Sequence, residues 1–432
     1  MSLAEAGFQS GRPIKMDINK LHQAPSLVIY MTYDGLLDPL GSSQILPYVE
    51  SISAHPRSIH IISFEKPERL HSSGSDLRER LSRQGITWTP LTFTRSFGLI
   101  GKLWDLLRMY LHGFRIALSQ KPQIVHARGH AAAQVGLFLK RWLGPKLLFD
   151  FRGLWVDERV DKGGWDLSRA FDRLQYRYYK GIERVLLLRA DQIVVLTEAV
   201  VGEVVRLGAQ PVSKIIVIPC CADFEHFALA DEASCHAART ALGISQHAFV
   251  LGYLGSVGGM YMPDRFFRLV EFAAAKNSSL HILALTPDVE RFNAEMQRYL
   301  PSRLHLFAHV RSANRDEVAR FLPAMNALVA FARPSYARVS MSPTKLAESF
   351  AAGIPAICNY GVGDVPELMR GLDAGIVVAA DSDEELRSVA NALPQLVAKG
   401  GPRLRQAARR VLGLEVANER YRSVYGRLDS VC

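Results

Sequence analysis

The segment Ser340-Met-Ser-Pro-Thr-Lys-Leu-Ala-Glu-Ser-Phe-Ala-Ala-Gly-Ile-Pro355 reads as one short helix with both ends marked. Ser342 offers a capping hydroxyl and Pro343 suits the first helical position. Gly353 and Pro355 stop the run, so a helix of about ten residues is predicted. Short apolar stretches flank it, Ala327–Phe331 before and Ala356–Cys358 after, which makes the whole a strand–loop–helix–strand unit of a parallel sheet. In such a unit the helix N-terminus presents free N–H groups and a positive dipole end at the carboxyl edge of the sheet, where a phosphate is favoured. Lys345 adds a full charge in the first turn. Glu348, three residues on, reaches the same side, where a carboxylate accepts hydrogen bonds from ribose hydroxyls. A capped surface helix with a solvated Lys–Glu pair has the same local pattern.

The same alternation extends along the chain. Upstream strands are predicted at Ser26–Thr32, Ile59–Phe64, Trp88–Phe93, Gln123–His126, Leu147–Phe151, Gln192–Leu196 and Ile215–Ile218. A second series covers Phe249–Leu254, Leu280–Leu285, Leu304–Phe307, Ala327–Phe331, Ala356–Cys358 and Ile376–Val378. The fold class is therefore α/β, with two Rossmann-like domains whose parallel sheets face each other across a cleft. Its 432 residues fit two domains better than one core. The expected boundaries are a flexible tail over 1–25, an N-terminal domain over 26–221, a C-terminal domain over 222–412, and a last helix over 413–432 returning to the first domain.

Composition is that of a soluble globular chain, 48% hydrophobic and 22% charged. Met1–Pro25 lacks the apolar core of a signal peptide, and the richest apolar run, Val185–Leu196, is broken by Arg189, Asp191 and Gln192. A cytoplasmic location follows as the expectation. Cys220, Cys221, Cys235, Cys358 and Cys432 have neither disulfide-framework nor zinc spacing. Between Gly101 and Ala190 there are 17 Lys and Arg against 8 Asp and Glu, so the net charge of +10 is concentrated in the first half. No nucleic-acid signature accompanies it. Gly101–Gln120 carries Leu103, Leu106, Leu107, Tyr110, Leu111 and Phe114 at helical spacing with Arg108 and Arg115 between. That pattern suits either core packing or peripheral contact with an anionic membrane on its inner face.

The 340–355 segment resembles the donor-binding helix of family 4 glycosyltransferases, retaining enzymes of the GT-B fold. Glu348 matches the second carboxylate of that family's Glu-x7-Glu motif, which holds the donor ribose, and Ser340 stands where the first would be. The form Ser342-Pro-Thr-Lys-Leu-Ala-Glu348 with Gly361-Val-Gly-Asp364 downstream is similar to a bacterial subgroup linked to surface polysaccharide assembly. Val217–Phe227 resembles the interdomain stretch, Gly252–Ser256 the opening strand of the C-terminal domain, and Ala417–Leu428 the returning helix. The resemblance implies a hexosyltransferase-like enzyme that moves a sugar from a nucleotide-sugar donor to a sugar or lipid-linked glycan acceptor, needing neither metal nor cofactor.

It also distributes roles. Lys345 and Arg152 are the expected catalytic groups, Arg152 standing where the family often has a histidine near the transferred sugar. Donor candidates are Gly41, Ser42, Gly258, Gly259, Arg333, Arg338, Ser340, Ser342, Thr344, Lys345 and Glu348. Acceptor-side candidates are Asp34, His126, His130, Asp157 and Glu158. The family's Arg and Lys after the first C-domain strand have no counterpart in Ser256–Asp264, which leaves Arg333, Arg338 and Lys345 as the cations. Two other readings share the architecture: a non-catalytic binding or scaffold subunit, and a nucleotide-sugar epimerase.

Overall fold

The computed structural model describes residues 26–53, 57–95, 98–300 and 307–429. The expected tail over 1–25 and Cys432 lie outside these, as does most of the strand expected at Leu304–Phe307. The described strand there begins at Phe307 and runs to Arg311.

Two parallel sheets form. The first holds β1 (Ser26–Thr32), β2 (Arg57–Glu65), β3 (Ile86–Thr92), β4 (Ile124–Arg128), β5 (Lys146–Asp150), β6 (Gln192–Val195) and β7 (Ile215–Val217) in the order β3-β2-β1-β4-β5-β6-β7. The second holds β8 (Phe249–Leu254), β9 (Leu280–Leu285), β10 (Phe307–Arg311), β11 (Ala327–Ala330), β12 (Ala356–Asn359) and β13 (Gly375–Val378) in the order β10-β9-β8-β11-β12-β13. Each order reverses once, at β1/β4 and at β8/β11, and crevices beyond the carboxyl ends at such points receive ligands.

The period of two decides which side chains meet. From β1, Ile29 and Met31 enter a core with Met109, Leu139 and Leu186, while Val28 and Tyr30 enter one on the opposite face with Tyr48, Tyr421 and Tyr425. The last two belong to the final helix, Leu414–Asp429, whose Ala417, Tyr421, Val424, Tyr425 and Leu428 recur on one face and pack on the first sheet. The chain makes that return beside the interdomain stretch: Ala222 N–H donates to Leu412 O (3.0 Å) and Leu414 N–H to Ala222 O (2.9 Å).

Candidate active site

The helix read from the 340–355 segment spans Thr344–Ala351, one residue later than predicted. Pro343, with φ −73° and ψ 111°, takes the capping position, and no side chain caps the helix. Ser342 does not cap it; its Oγ accepts from the Cys220 N–H across the interdomain stretch (3.1 Å). Because the helix starts at Thr344, Pro343 occupies the cap and Ser342 stands one position before it. Leu346, Ala347, Phe350 and Ala351 bury the opposite face in the second domain's core, and Gly353 (φ +73°) ends the helix. Thr344 stands in the uncapped first turn.

Lys345 turns from this helix toward the glycine loop after β8. Its Nζ lies 3.9 Å from the Tyr261 ring centroid and 5.7 Å from that of Tyr253, and a side chain at Gly255 would meet it. Lys345 is 8% exposed, and its ammonium has no carboxylate within salt-bridge distance among the described residues. Gly255, Gly258 and Gly259 all have positive φ (+103°, +78°, +63°), so the loop curls in a way side chains resist. A side chain at Gly258 would collide with the Arg291 guanidinium. Arg291 belongs to the Val289–Tyr299 helix that follows β9. Exposed Arg333 fixes its own backbone to the loop through N–H donation to Met260 O (2.7 Å). A loop with no cation of its own thus meets the side chains of Lys345 and Arg291, with the Arg333 backbone bonded to it. Sequence reasoning missed Arg291, although a cation in the first turn after a strand's carboxyl end was a usable signal.

Glu348 keeps a partly exposed edge, yet burial pushes its carboxyl up to about 7, with Arg315 and Lys345 pulling the other way. Its carboxylate accepts no hydrogen bond among the described residues. Arg315 is itself under-satisfied: its buried Nε has no partner. A buried acceptor held beside cations and left open is suited to a diol.

The loop before the helix is closed over by the first domain. Ser340, 2% exposed, accepts from Leu154 N–H (3.1 Å) and donates to Ala337 O (2.7 Å). Its hydroxyl is therefore spent on joining the two halves and does not face open space. Arg338, also 2% exposed, was expected at the donor; it points instead to Glu158 (3.4 Å), which also holds Lys162 (2.8 Å). Thr197 Oγ1 donates to Val339 O (2.6 Å), and the Asp364 carboxylate accepts from the N–H groups of Glu198 and Ala199 (2.6 and 2.9 Å). A cavity of about 270 Å³ lies alongside, walled by Thr197, Val217, Pro219, Ser342, Pro343 and Leu346. It touches the helix tip but not Lys345 or Glu348.

On the first domain's side Arg152 rests on Asp150 (3.4 Å) and donates to Cys220 Sγ (3.4 Å). Burial opposes ionisation of Asp150, but Arg152, His126 and Arg128 outweigh it and hold the carboxyl well below its ordinary range. Asp150 and Cys220 in turn raise the already high pKa of Arg152 against the pull of burial. Asp34, two residues past the end of β1, lies 3.6 Å from Arg128. Two expected acceptor-side groups are inside the core instead. His126 is buried, its pKa lowered by burial, with Nδ1 2.7 Å from the Tyr425 hydroxyl. His130 pairs with fully buried Glu183 (2.9 Å) between Phe149, Phe151 and Trp155. Asp157 binds Tyr176 (2.9 Å) and Lys180 (2.6 Å). Gly41 and Ser42 sit within a short helix, Pro39–Gln44, rather than in an open turn after β1. A side chain at Gly41 would strike Gly35, and Ser42 Oγ returns to Pro39 O (3.1 Å). Pro47 falls in the first turn of the next helix, Leu46–Ser53, where it is tolerated, so the chain breaks at Ile45. No group of three or more His, Cys, Asp or Glu suited to a metal occurs among the described residues.

Residues 57–221 match the family described as Glycosyl transferase 4-like domain. No curated protein matches the sequence. Solved structures of similar fold include sucrose-phosphate synthase from Thermosynechococcus elongatus, at 15% identity over 94% of this chain and 100% of that one, with TM-score 0.68. A glycosyltransferase from Rickettsia africae is 13% identical over 94% and 99%, with TM-score 0.67. HepE from Anabaena, in complex with UDP and glucose, is 14% identical over 93% and 100%, with TM-score 0.63. At such identities the likeness concerns the fold, and it extends over nearly the whole chain.

Proposed function

We propose that this chain, a GT-B protein carrying a glycosyl transferase 4-like domain, is a retaining glycosyltransferase that moves a sugar from a nucleoside-diphosphate sugar to a glycan or lipid-linked glycan acceptor in polysaccharide or glycoconjugate assembly. One observation carries the reading: the Lys345 and Arg291 side chains meet the glycine loop after β8, to which the Arg333 backbone is bonded, with the unpartnered Glu348 carboxylate one helical turn beyond Lys345. Cations and an uncapped helix start suit a diphosphate, and an open acceptor suits its ribose.

In the reaction the bond from the anomeric carbon to the leaving phosphate oxygen breaks, its electron pair going to the diphosphate. The acceptor hydroxyl oxygen forms the new bond on the same face, and its proton passes to the leaving phosphate oxygen. Negative charge grows on the diphosphate, so fixed positive groups stabilise the transition state more than the ground state. Lys345 has that task, and Arg152 lines the opposite side. The contacts through Ser340, Arg338 and Asp364 draw the two halves together and limit water, which would otherwise compete as acceptor.

Thermal shift against uridine, guanosine and adenosine diphosphates comes first, because a ligand of the native state raises its melting temperature. Release of nucleoside diphosphate from the matching donor sugar follows. Binding with no release from any donor would favour the scaffold reading, to which the buried, fully engaged Ser340 lends weight. Absence of binding to all three would remove the proposal.

A further inference from the structure

We infer that the outer face of three neighbouring helices of the first domain, Gly98–Gln120, Gly129–Leu143 and Ala170–Arg189, is a docking surface for an anionic phospholipid bilayer. These helices cover one side of the first sheet, and their inner faces are accounted for by Met109, Ala117, Val135, Leu139, Leu186 and Leu187 in the core. Their outer faces are apolar as well. On the first helix Ile100, Leu103, Trp104, Leu107, Leu111 and Leu118 are 47–70% exposed at spacings of three, four and seven. On the third, Phe171, Leu174, Tyr178, Val185 and Leu188 are 47–66% exposed at similar spacing. Trp142, 70% exposed, adds to it from the second. An aqueous surface rarely carries so many large apolar groups together.

Charge identifies the occupant. The three helices carry ten Lys and Arg against three Asp and Glu, and two of those acids, Asp105 and Glu183, are fully buried. At 100° per residue, Arg173, Arg177 and Arg184 form a stripe directly beside the apolar stripe of Leu174, Tyr178 and Val185. Arg177 and Arg184 have no carboxylate partner among the described residues. Both line a cavity of about 430 Å³ together with Lys180, Arg206, Tyr336 and Asp157, the last already held by Lys180 and Tyr176. An apolar face flanked by unpaired arginines suits an interface where acyl chains meet phosphate head groups. A second protein copy would offer this face no comparable negative charge, since the chain's net charge is +10. No described helix is long and apolar enough to cross a membrane, so contact is along the surface.

The test is sedimentation of the full chain with vesicles of phosphatidylcholine alone or mixed with phosphatidylglycerol. Wild type should pellet with the mixed vesicles and at least roughly tenfold less with phosphatidylcholine alone, and high salt should release it. Leu103→Ser/Trp104→Ser/Leu107→Ser and Phe171→Ser/Leu174→Ser should each abolish pelleting with unchanged melting temperature, since every altered side chain is exposed. Arg177→Ala/Arg184→Ala should weaken it roughly tenfold. Failure to pellet with either vesicle, or equal pelleting of wild type and the apolar variants, overturns the inference. So does light scattering that finds a dimer which the same apolar variants convert to monomer. None of these readouts depends on transferase activity.

Discussion

Replacing Glu348 by glutamine should make the empty protein more stable and its nucleotide binding worse. Burial raises the carboxyl from 4.5 to about 7 against the pull of Arg315 and Lys345. The sign is that of an acid whose folded-state pKa is above its unfolded one. The native state then holds the proton more tightly, so stability falls as pH rises from about 4.5 to 7 and the penalty is complete above that. A displacement of that size corresponds to about 3 kcal/mol at about 1.4 kcal/mol per pH unit. The partly exposed edge of the carboxyl lowers the figure, and roughly 1 to 3 kcal/mol is expected. Glu348→Gln removes the ionisation while keeping the shape. At pH 8 it should melt several degrees above wild type, and the gap should close as pH falls toward 4.5. In the same samples, nucleoside diphosphate affinity should drop roughly tenfold or more, because a neutral amide replaces a charged acceptor for the ribose hydroxyls. Calorimetric melts across pH, with and without nucleotide, measure both. A variant no more stable than wild type at pH 8, or a gap independent of pH, would refute the reasoning about burial. Unchanged affinity would refute the ribose assignment.

Lys345→Ala should lower turnover by roughly 100- to 1000-fold, as for loss of a fixed donor to developing charge, with only a small fall in melting temperature from the lost contact with Tyr261; nucleoside diphosphate release by purified protein reads it, and near-wild-type turnover contradicts the role. Arg291→Ala should reduce nucleoside diphosphate affinity roughly tenfold, more at low than at high salt, without changing the melting temperature; titration calorimetry at two ionic strengths decides. Ser340→Glu, which writes in the acid expected from the family motif, should destabilise by about 3 kcal/mol or more, because it forces a carboxylate into a site where the hydroxyl already joins Leu154 N–H and Ala337 O; a variant as stable as wild type in denaturant melts would show that the interdomain contact opens freely.

Local pattern carried most of the fold. The strands β1, β8 and β9 begin and end where the apolar runs do, because a strand buried on both faces must be apolar throughout. Gly353 and Pro355 marked the end of the Thr344–Ala351 helix because few residues other than glycine tolerate the left-handed turn there. Lys345 and Glu348 were legible as a pair on one side of that helix for the same reason of period.

What the sequence could not decide was where each charge goes. Arg291 and Lys345 are far from Gly258 and Gly255 in the chain, and only the placement of β9 and β11 on either side of β8 brings their helices to that loop. Arg338 and Ser340 looked available because polar residues before a helix usually are, yet the first domain folds onto them, setting Glu158 against Arg338 and the Leu154 N–H on the Ser340 hydroxyl. His126 and His130 follow a strand as a ligand-binding residue would, but the final helix covers the first and Glu183 claims the second. A helix or strand is written in neighbours a few residues apart. The partner of a buried polar group is chosen by elements distant in sequence, since its desolvation cost must be met by whatever the packed fold sets beside it.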